Sequence, residues 1–146
     1  MSNVSTDSEQ KQSLAITYKH ILVNNQPNGI HAVKFKNVTP EALKELVAYQ
    51  SVLIKDVPAA DVIRQLHDYR IGLPPISLAI REIRQLVAVP EFAKRNYRIA
   101  LIYPRRQQAL MQPLTTLFRM AQIRNIKTRA FPEQDYDAAI AWLLTS

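Results

Sequence analysis

The chain has 146 residues, 47% of them hydrophobic, which is typical of one globular domain and too apolar for a disordered chain. It contains no cysteine, which excludes disulfides, thiolate chemistry and cysteine zinc sites. It also has neither a membrane-length apolar run nor a secretory signal, so we expect a soluble cytoplasmic protein. The net charge of +7 is concentrated between residues 92 and 132, a stretch without any acidic residue, which raises nucleic acid as a partner.

The first predicted elements are two strands that follow a tail. We expect residues 1–14 to form a disordered N-terminal tail and residues 15–146 to form a single domain. Ile16–Val23 and Ile30–Lys36 have the pattern of strands, with a cluster of turn-forming residues between them. Pairing Leu22 with His31 would place six side chains on one buried face and the two lysines of the second strand on the other. These six are Tyr18, His20, Leu22, His31, Val33 and Phe35.

The middle of the chain predicts a helix, a strand and a second helix. Thr39-Pro40-Glu41 is typical of a helix start, and this helix should run to about Ile54. Asp61–Tyr69 is the next predicted strand, and Gly72-Leu73-Pro74-Pro75 breaks the chain after it. Apolar residues then recur at helical spacing up to Pro90, which should end the helix. They are Ile76, Ala79, Ile80, Ile83 and Val87, and they lie opposite Arg81, Glu82 and Gln85.

The last third of the chain predicts two strands that alternate with two helices. Arg98–Tyr103 is a nearly continuous apolar run that Pro104 stops, as in a strand buried on both faces. No element is predicted for 105–112, and Pro113 can open a helix. A short strand over Ile126–Phe131 and a helix over Asp135–Leu144 complete the chain. We expect one core that contains Ile99, Leu101, Leu117, Phe118, Ile140 and Leu143.

The resulting order, β-β-α-β-α-β-α-β-α, predicts an α/β fold with a mixed sheet and right-handed crossovers. This order resembles the STAS fold of anti-sigma-factor antagonists over roughly residues 16–144. The last third is similar to the SpoIIAA-like branch in several short motifs, which end in an Ala-x-x-Trp-Leu helix. These motifs are Arg98–Tyr103, Phe118-Arg119-Met120, Thr128-Arg129-Ala130-Phe131 and Ala138–Leu143. The resemblance implies a STAS-like domain that acts as a regulatory module and binds another protein.

In antagonists of this family a partner kinase phosphorylates a Ser or Thr in an Asp-Ser-Ser/Thr-Gly motif at a strand-to-helix junction. The matching junction here, residues 68–77, keeps Asp68 and Gly72 but has no Ser or Thr beside either. Ser77 is the one hydroxyl of that type nearby, and we expect it in the first turn of a helix. We therefore expect a module without the phospho-switch. Its predicted docking residues are Tyr69, Arg70, Ile71, Leu73 and Ser77.

No set of residues in the sequence predicts catalysis. His67 and Asp68 are adjacent on a strand, so their side chains should point to opposite faces. His20 and His31 could share a face, but a metal site needs three or four ligands and no third is identifiable. The chain has only two glycines, which excludes a P-loop and a dinucleotide-binding fingerprint. We expect no enzyme activity, no cofactor and no metal.

Arg105 and Arg106 are the strongest local candidates for a ligand site. They follow the carboxyl end of a central strand, where open α/β sheets tend to bind ligands, and guanidinium groups suit phosphate or carboxylate. The alternative function is therefore binding of nucleic acid or an anionic ligand through residues 92–132. The absence of interleaved exposed aromatic residues argues against nucleic acid. Whether the chain forms a homo-oligomer is left open.

Overall fold

The computed structural model describes residues 17–120 and 125–145, so the predicted tail lies outside the described residues. Within them the chain forms five strands and five α-helices. Four of the helices follow the predicted order, and the fifth is a short additional helix, Pro90–Ala93. The strands are β1 (Ile21–Asn25), β2 (Ile30–Phe35), β3 (Ile63–Asp68), β4 (Tyr97–Tyr103) and β5 (Ile126–Pro132). The helices are α1 (Pro40–Asp56), α2 (Ile76–Val87), α3 (Pro90–Ala93), α4 (Met111–Met120) and α5 (Tyr136–Leu143).

The five strands form one mixed sheet in which neighbours in sequence are neighbours in space. β1 is antiparallel to β2, and β2 to β5 are parallel to one another. Helices α1 to α4 pack against one face, which we call the helix-rich face. Among the described helices, only α5 packs against the other face, the α5 face. The prediction of an α/β fold with a mixed sheet is confirmed.

The sheet separates two cores, and the prediction of a single core is wrong. Ile99 and Leu101 lie on the helix-rich face, whereas Ile140 and Leu143 of α5 pack on the opposite face. Alternation along β4 explains the split, because successive side chains of a strand point to opposite faces. The side chains of 117 and 118, also predicted in this core, lie outside the described part of the chain.

The predicted register of the first hairpin is also wrong. Leu22 pairs with Lys34, and His31 pairs with Asn25. Asn24 and Asn25 extend β1 instead of entering the turn, which shortens the loop and shifts the pairing by three residues. A shift by an odd number exchanges the two faces of a strand. Leu22 therefore lies on the α5 face and is exposed.

Local signals explain where the other elements begin. The hydroxyl of Thr39 accepts a hydrogen bond from the amide of Ala42 (3.3 Å) and caps α1 as predicted. Pro90, which was predicted to end α2, also opens the short helix α3. The segment 105–112, for which no element was predicted, contains a 3-10 helix over Arg105–Leu110. Among the described residues, no helix is both long and apolar enough to cross a membrane.

Candidate functional site

The loops that follow β3 and β4 meet at the carboxyl edge of the sheet. Nη2 of Arg106 donates a hydrogen bond to the carbonyl of Ile71 (2.8 Å). The amide of Leu73 donates to Oε1 of Gln107 (2.7 Å). The predicted docking junction and the predicted arginine pair thus form one surface, because parallel neighbouring strands end at the same edge. We call residues 69–77 and 104–110 the carboxyl-edge surface.

Three of the predicted docking residues are accessible on this surface. The side chain of Ile71 is 52% exposed. Ser77 is exposed in the first turn of α2, as predicted. Arg70 is partly exposed, but its guanidinium pairs with the Asp68 carboxylate (2.6 Å) and lies over the ring of Tyr136. The pKa of Arg70 is raised mainly by the hydrogen bond of its side chain to Asp68. The same bond holds this cation in place.

Tyr69 and Leu73 support the surface from below. Tyr69 is only 6% exposed and stacks on Phe35, with ring centroids 4.2 Å apart. Burial raises the pKa of the Tyr69 hydroxyl. Leu73 is half-buried and packs against the core. The prediction that Tyr69 contacts a partner is therefore corrected, because its side chain continues the inward alternation of β3 two residues after His67.

The predicted anion pair, Arg105 and Arg106, is exposed at the edge but partly occupied by the protein itself. Arg106 is bound to the Ile71 carbonyl. The amide of Arg105 donates to a carboxylate oxygen of Glu133 (3.2 Å), which places an acidic group beside the pair. A neighbouring carboxylate disfavours binding of a second anion. The geometry therefore favours a role for these arginines at the rim of the carboxyl-edge surface over a role as a closed anion site.

Two arginines of residues 92–132, the stretch without acidic residues, are buried and form hydrogen bonds within the fold. Arg95 is 7% exposed and donates to three backbone carbonyls, those of Ile54, Val57 and Pro58, at 2.8 to 3.0 Å. Arg98 is 8% exposed, donates to the Trp142 carbonyl (2.9 Å) and has its guanidinium carbon 4.1 Å from the centroid of the Trp142 ring. These two cations are unavailable to a nucleic acid, which weakens the alternative function.

A large cavity, which the sequence did not predict, lies between the helix-rich face and helices α1, α2 and α4. Its volume is about 770 Å³. Ile99 is only half-buried although β4 is an interior strand, because its side chain borders this space. Most of the lining is aliphatic. From the helices it includes Leu43, Leu46, Ile83, Leu86, Val87 and Leu114.

Glu82 lines the cavity and is 5% exposed, so its predicted place on the solvent face of α2 is wrong. Both carboxylate oxygens are buried, and neither of them accepts a hydrogen bond from a described residue. Among the described residues, the one cation within 4 Å is Nη2 of Arg81 at 3.6 Å, beyond hydrogen-bonding distance and on a side chain that is 58% exposed. A buried carboxylate without donors is costly, so this residue stands out as chemically unsatisfied.

His67 also lines this cavity. Its Nε2 lies 2.8 Å from Oε1 of Gln65, and Gln65 forms a reciprocal amide pair with Gln50. With the Gln65 amide in this orientation, the neutral ring donates through Nε2. The other ring nitrogen, Nδ1, makes no hydrogen bond to the described residues. Burial lowers the pKa of His67 to about 4, so the ring is neutral at pH 7.

The three histidines lie apart from one another in the fold. His67 lies on the helix-rich face and Asp68 pairs with Arg70 on the other, as predicted. The corrected hairpin register separates His20 from His31, because the amide of Lys36 donates to the carbonyl of His20 and His31 pairs with Asn25. Over residues 17–120 and 125–145, no group of three or more His, Asp or Glu side chains could hold a metal ion.

Comparison of the chain with protein-family models, with curated proteins and with solved structures gave no match. The resemblance to STAS domains thus depends on the order of the elements and on the short motifs of the last third.

Proposed function

We propose that this chain is a non-catalytic, STAS-like regulatory module that docks on another protein through the carboxyl-edge surface. The observation that carries the proposal is the 52% exposure of Ile71 in a loop whose backbone is fixed on both sides. A single exposed aliphatic residue is common on protein surfaces. A rigidly presented one is suited to anchor an interface, because a few apolar residues near its centre dominate the binding energy.

Several contacts hold this loop in one conformation. The amide of Gly72 donates to the carbonyl of Tyr69 (2.9 Å) and closes a turn, and φ of Gly72 is +149°, a conformation that L side chains rarely adopt. Arg106 and Gln107 bind the residues on either side of that glycine. A loop that is already ordered loses little conformational entropy on binding, which supports a docking role.

The charges around Ile71 indicate the chemistry of the partner. Arg70, Arg105 and Arg106 surround the loop in sequence and structure, and a second exposed aliphatic residue, Leu110, follows in the same surface with 45% exposure. We expect a partner that offers an apolar pocket with an acidic rim, since complementary charge increases specificity and association rate. The proposal includes no phospho-switch, because residues 68–76 contain no Ser or Thr.

We rank binding of nucleic acid or an anionic ligand second. The guanidinium groups of Arg95 and Arg98 already donate to backbone carbonyls, and the acidic Glu133 lies beside Arg105. Both observations argue against an anion at these arginines. The proposal keeps the cytoplasmic location and the absence of a cofactor that the sequence led us to expect.

The test is affinity capture from the native cell with the wild-type chain and two variants, quantified by mass spectrometry after nuclease treatment. Ile71→Asp should release the specifically captured protein, because a charge cannot enter an apolar pocket without a large desolvation cost. Leu22→Asp is the matched control, since Leu22 is 51% exposed on β1. Capture that both variants weaken equally, or that nuclease abolishes, would contradict the proposal.

A further inference from the structure

We propose that the cavity binds a small apolar molecule that carries an amine, and that the Glu82 carboxylate holds its ammonium group. This site is separate from the carboxyl-edge surface, and the inference does not depend on protein docking. Three observations support it: the size of the cavity, the unsatisfied carboxylate and the absence of an interior cation to pair with it among the described residues.

The cavity has the size and lining of a small-molecule site. Its volume of about 770 Å³ lies within the range of roughly 300–1,000 Å³ that holds drug-sized ligands. The β-sheet supplies its floor and α2 supplies a wall in which Ile83 and Leu86 stay half-buried. Helix α2 thus presents an apolar face that the described residues do not fully cover. An apolar ligand body would remove this surface from water.

Glu82 specifies the charge of the ligand. Its side chain is only 6% exposed, and its two oxygens have no hydrogen-bond donor among the described residues. An ionised carboxylate in such surroundings is stabilised by a positive charge and by N–H donors. An ammonium group supplies both, whereas a carboxylate or a phosphate would be repelled.

The other charged and polar groups of the lining agree with this assignment. His67 lines the cavity as a neutral ring, so it adds no charge that would oppose an ammonium group. Lys127 and Arg129 of the lining lie on the edge strand β5, and both are exposed. Alternation along β5 directs their side chains to the α5 face, where the Arg129 guanidinium lies over the ring of Phe131, so neither charge faces the cavity. An anionic amphiphile is the competing occupant, and the test distinguishes it.

The experiment compares three probes of one shape: 4-phenylbutylamine, 4-phenylbutanol and 4-phenylbutyrate. Their dissociation constants for the full chain are measured by calorimetry at pH 7. The amine should bind about tenfold more tightly than the alcohol, and the carboxylate most weakly. Glu82→Gln should bring amine and alcohol to within about twofold of each other. Glu91→Gln, at an exposed acid on α3, should leave the preference unchanged.

Two further measurements keep the proposal decidable if Glu82→Gln does not fold. Methyl NMR of the wild-type chain should show shifts at Ile99 and Leu86 on addition of the amine. Ile99→Phe fills part of the cavity and should weaken amine and alcohol alike. The proposal is overturned by no saturable amine binding, by preference for the carboxylate, by a preference that survives Glu82→Gln, or by binding that leaves those methyl signals unmoved.

Discussion

Replacement of Arg95 by alanine tests the division of the basic stretch into structural and exposed residues. The guanidinium is buried and donates to the carbonyls of Ile54, Val57 and Pro58 at the end of α1. Each orphaned buried acceptor costs about 1–3 kcal/mol, and some of the three carbonyls will regain water. We therefore expect a loss of about 3–5 kcal/mol in the free energy of unfolding.

The assay is urea unfolding followed by circular dichroism, with a thermal scan in parallel. The melting temperature should fall by roughly 10 °C, because 1 kcal/mol corresponds to a few degrees in a domain of this size. Lys94→Ala is the matched control, since Lys94 is exposed in the preceding position, and it should change stability by less than about 0.5 kcal/mol. Equal stability of the two variants would refute the structural role and return Arg95 to the candidate ligand-binding residues.

Three other predictions concern the buried groups and the alternative function. Glu82→Leu should stabilise the ligand-free chain by about 1–3 kcal/mol, because it removes an unsatisfied carboxylate; thermal scans that show a loss would contradict this. The folded-state pKa of His67, about 4, is below the unfolded value of 6.5. The unfolded chain therefore takes up a proton first as the pH falls from about 6.5 to 4, and stability should drop by up to about 3 kcal/mol over this range. His67→Gln should lack this part of the acid sensitivity. Urea midpoints of the wild-type chain and the variant at pH 7 and pH 5 measure the difference. Equal sensitivity of the two proteins would contradict a buried neutral ring. Fluorescence anisotropy should show only weak binding to single- and double-stranded nucleic acid at physiological salt, and a tight complex that salt dissociates would restore the alternative function.

The elements were predictable because their signals are local. The Thr39 cap and Pro40 set the start of α1, and the apolar run that ends at Pro104 set the limits of β4. Each signal involves a few neighbouring residues and the hydrogen bonds they can form. The predicted order of strands and helices, and with it the mixed α/β sheet, follows from these signals.

The distribution of side chains between faces was less predictable. The run Arg98–Tyr103 is apolar at nearly every position, so its sequence could not assign Ile99 and Leu101 to one core and Ala100 and Ile102 to the other. The hairpin register was mispredicted for a related reason, because Asn24 and Asn25 belong to β1 and not to the turn. A change of one residue in loop length exchanges the faces of the whole strand.

The site was predicted in part. Parallel strands end at one edge, so the junction after β3 and the arginines after β4 could have been placed on one surface from the predicted topology. Tyr69 was misassigned because its burial depends on stacking with Phe35 from another strand. The cavity and the burial of Glu82 depend on how α1, α2 and α4 are spaced over the sheet, which no periodicity within one helix specifies.

The most direct test of the docking proposal is photo-crosslinking in the native cell from single positions of the chain. A photoreactive amino acid replaces Ile71 in one variant and Leu22 in the other, because the two side chains are almost equally exposed, at 52% and 51%. We predict one discrete protein adduct from position 71 and none from position 22. The same adducts from both positions, or adducts from position 71 only to nucleic acid, would contradict docking through the carboxyl-edge surface.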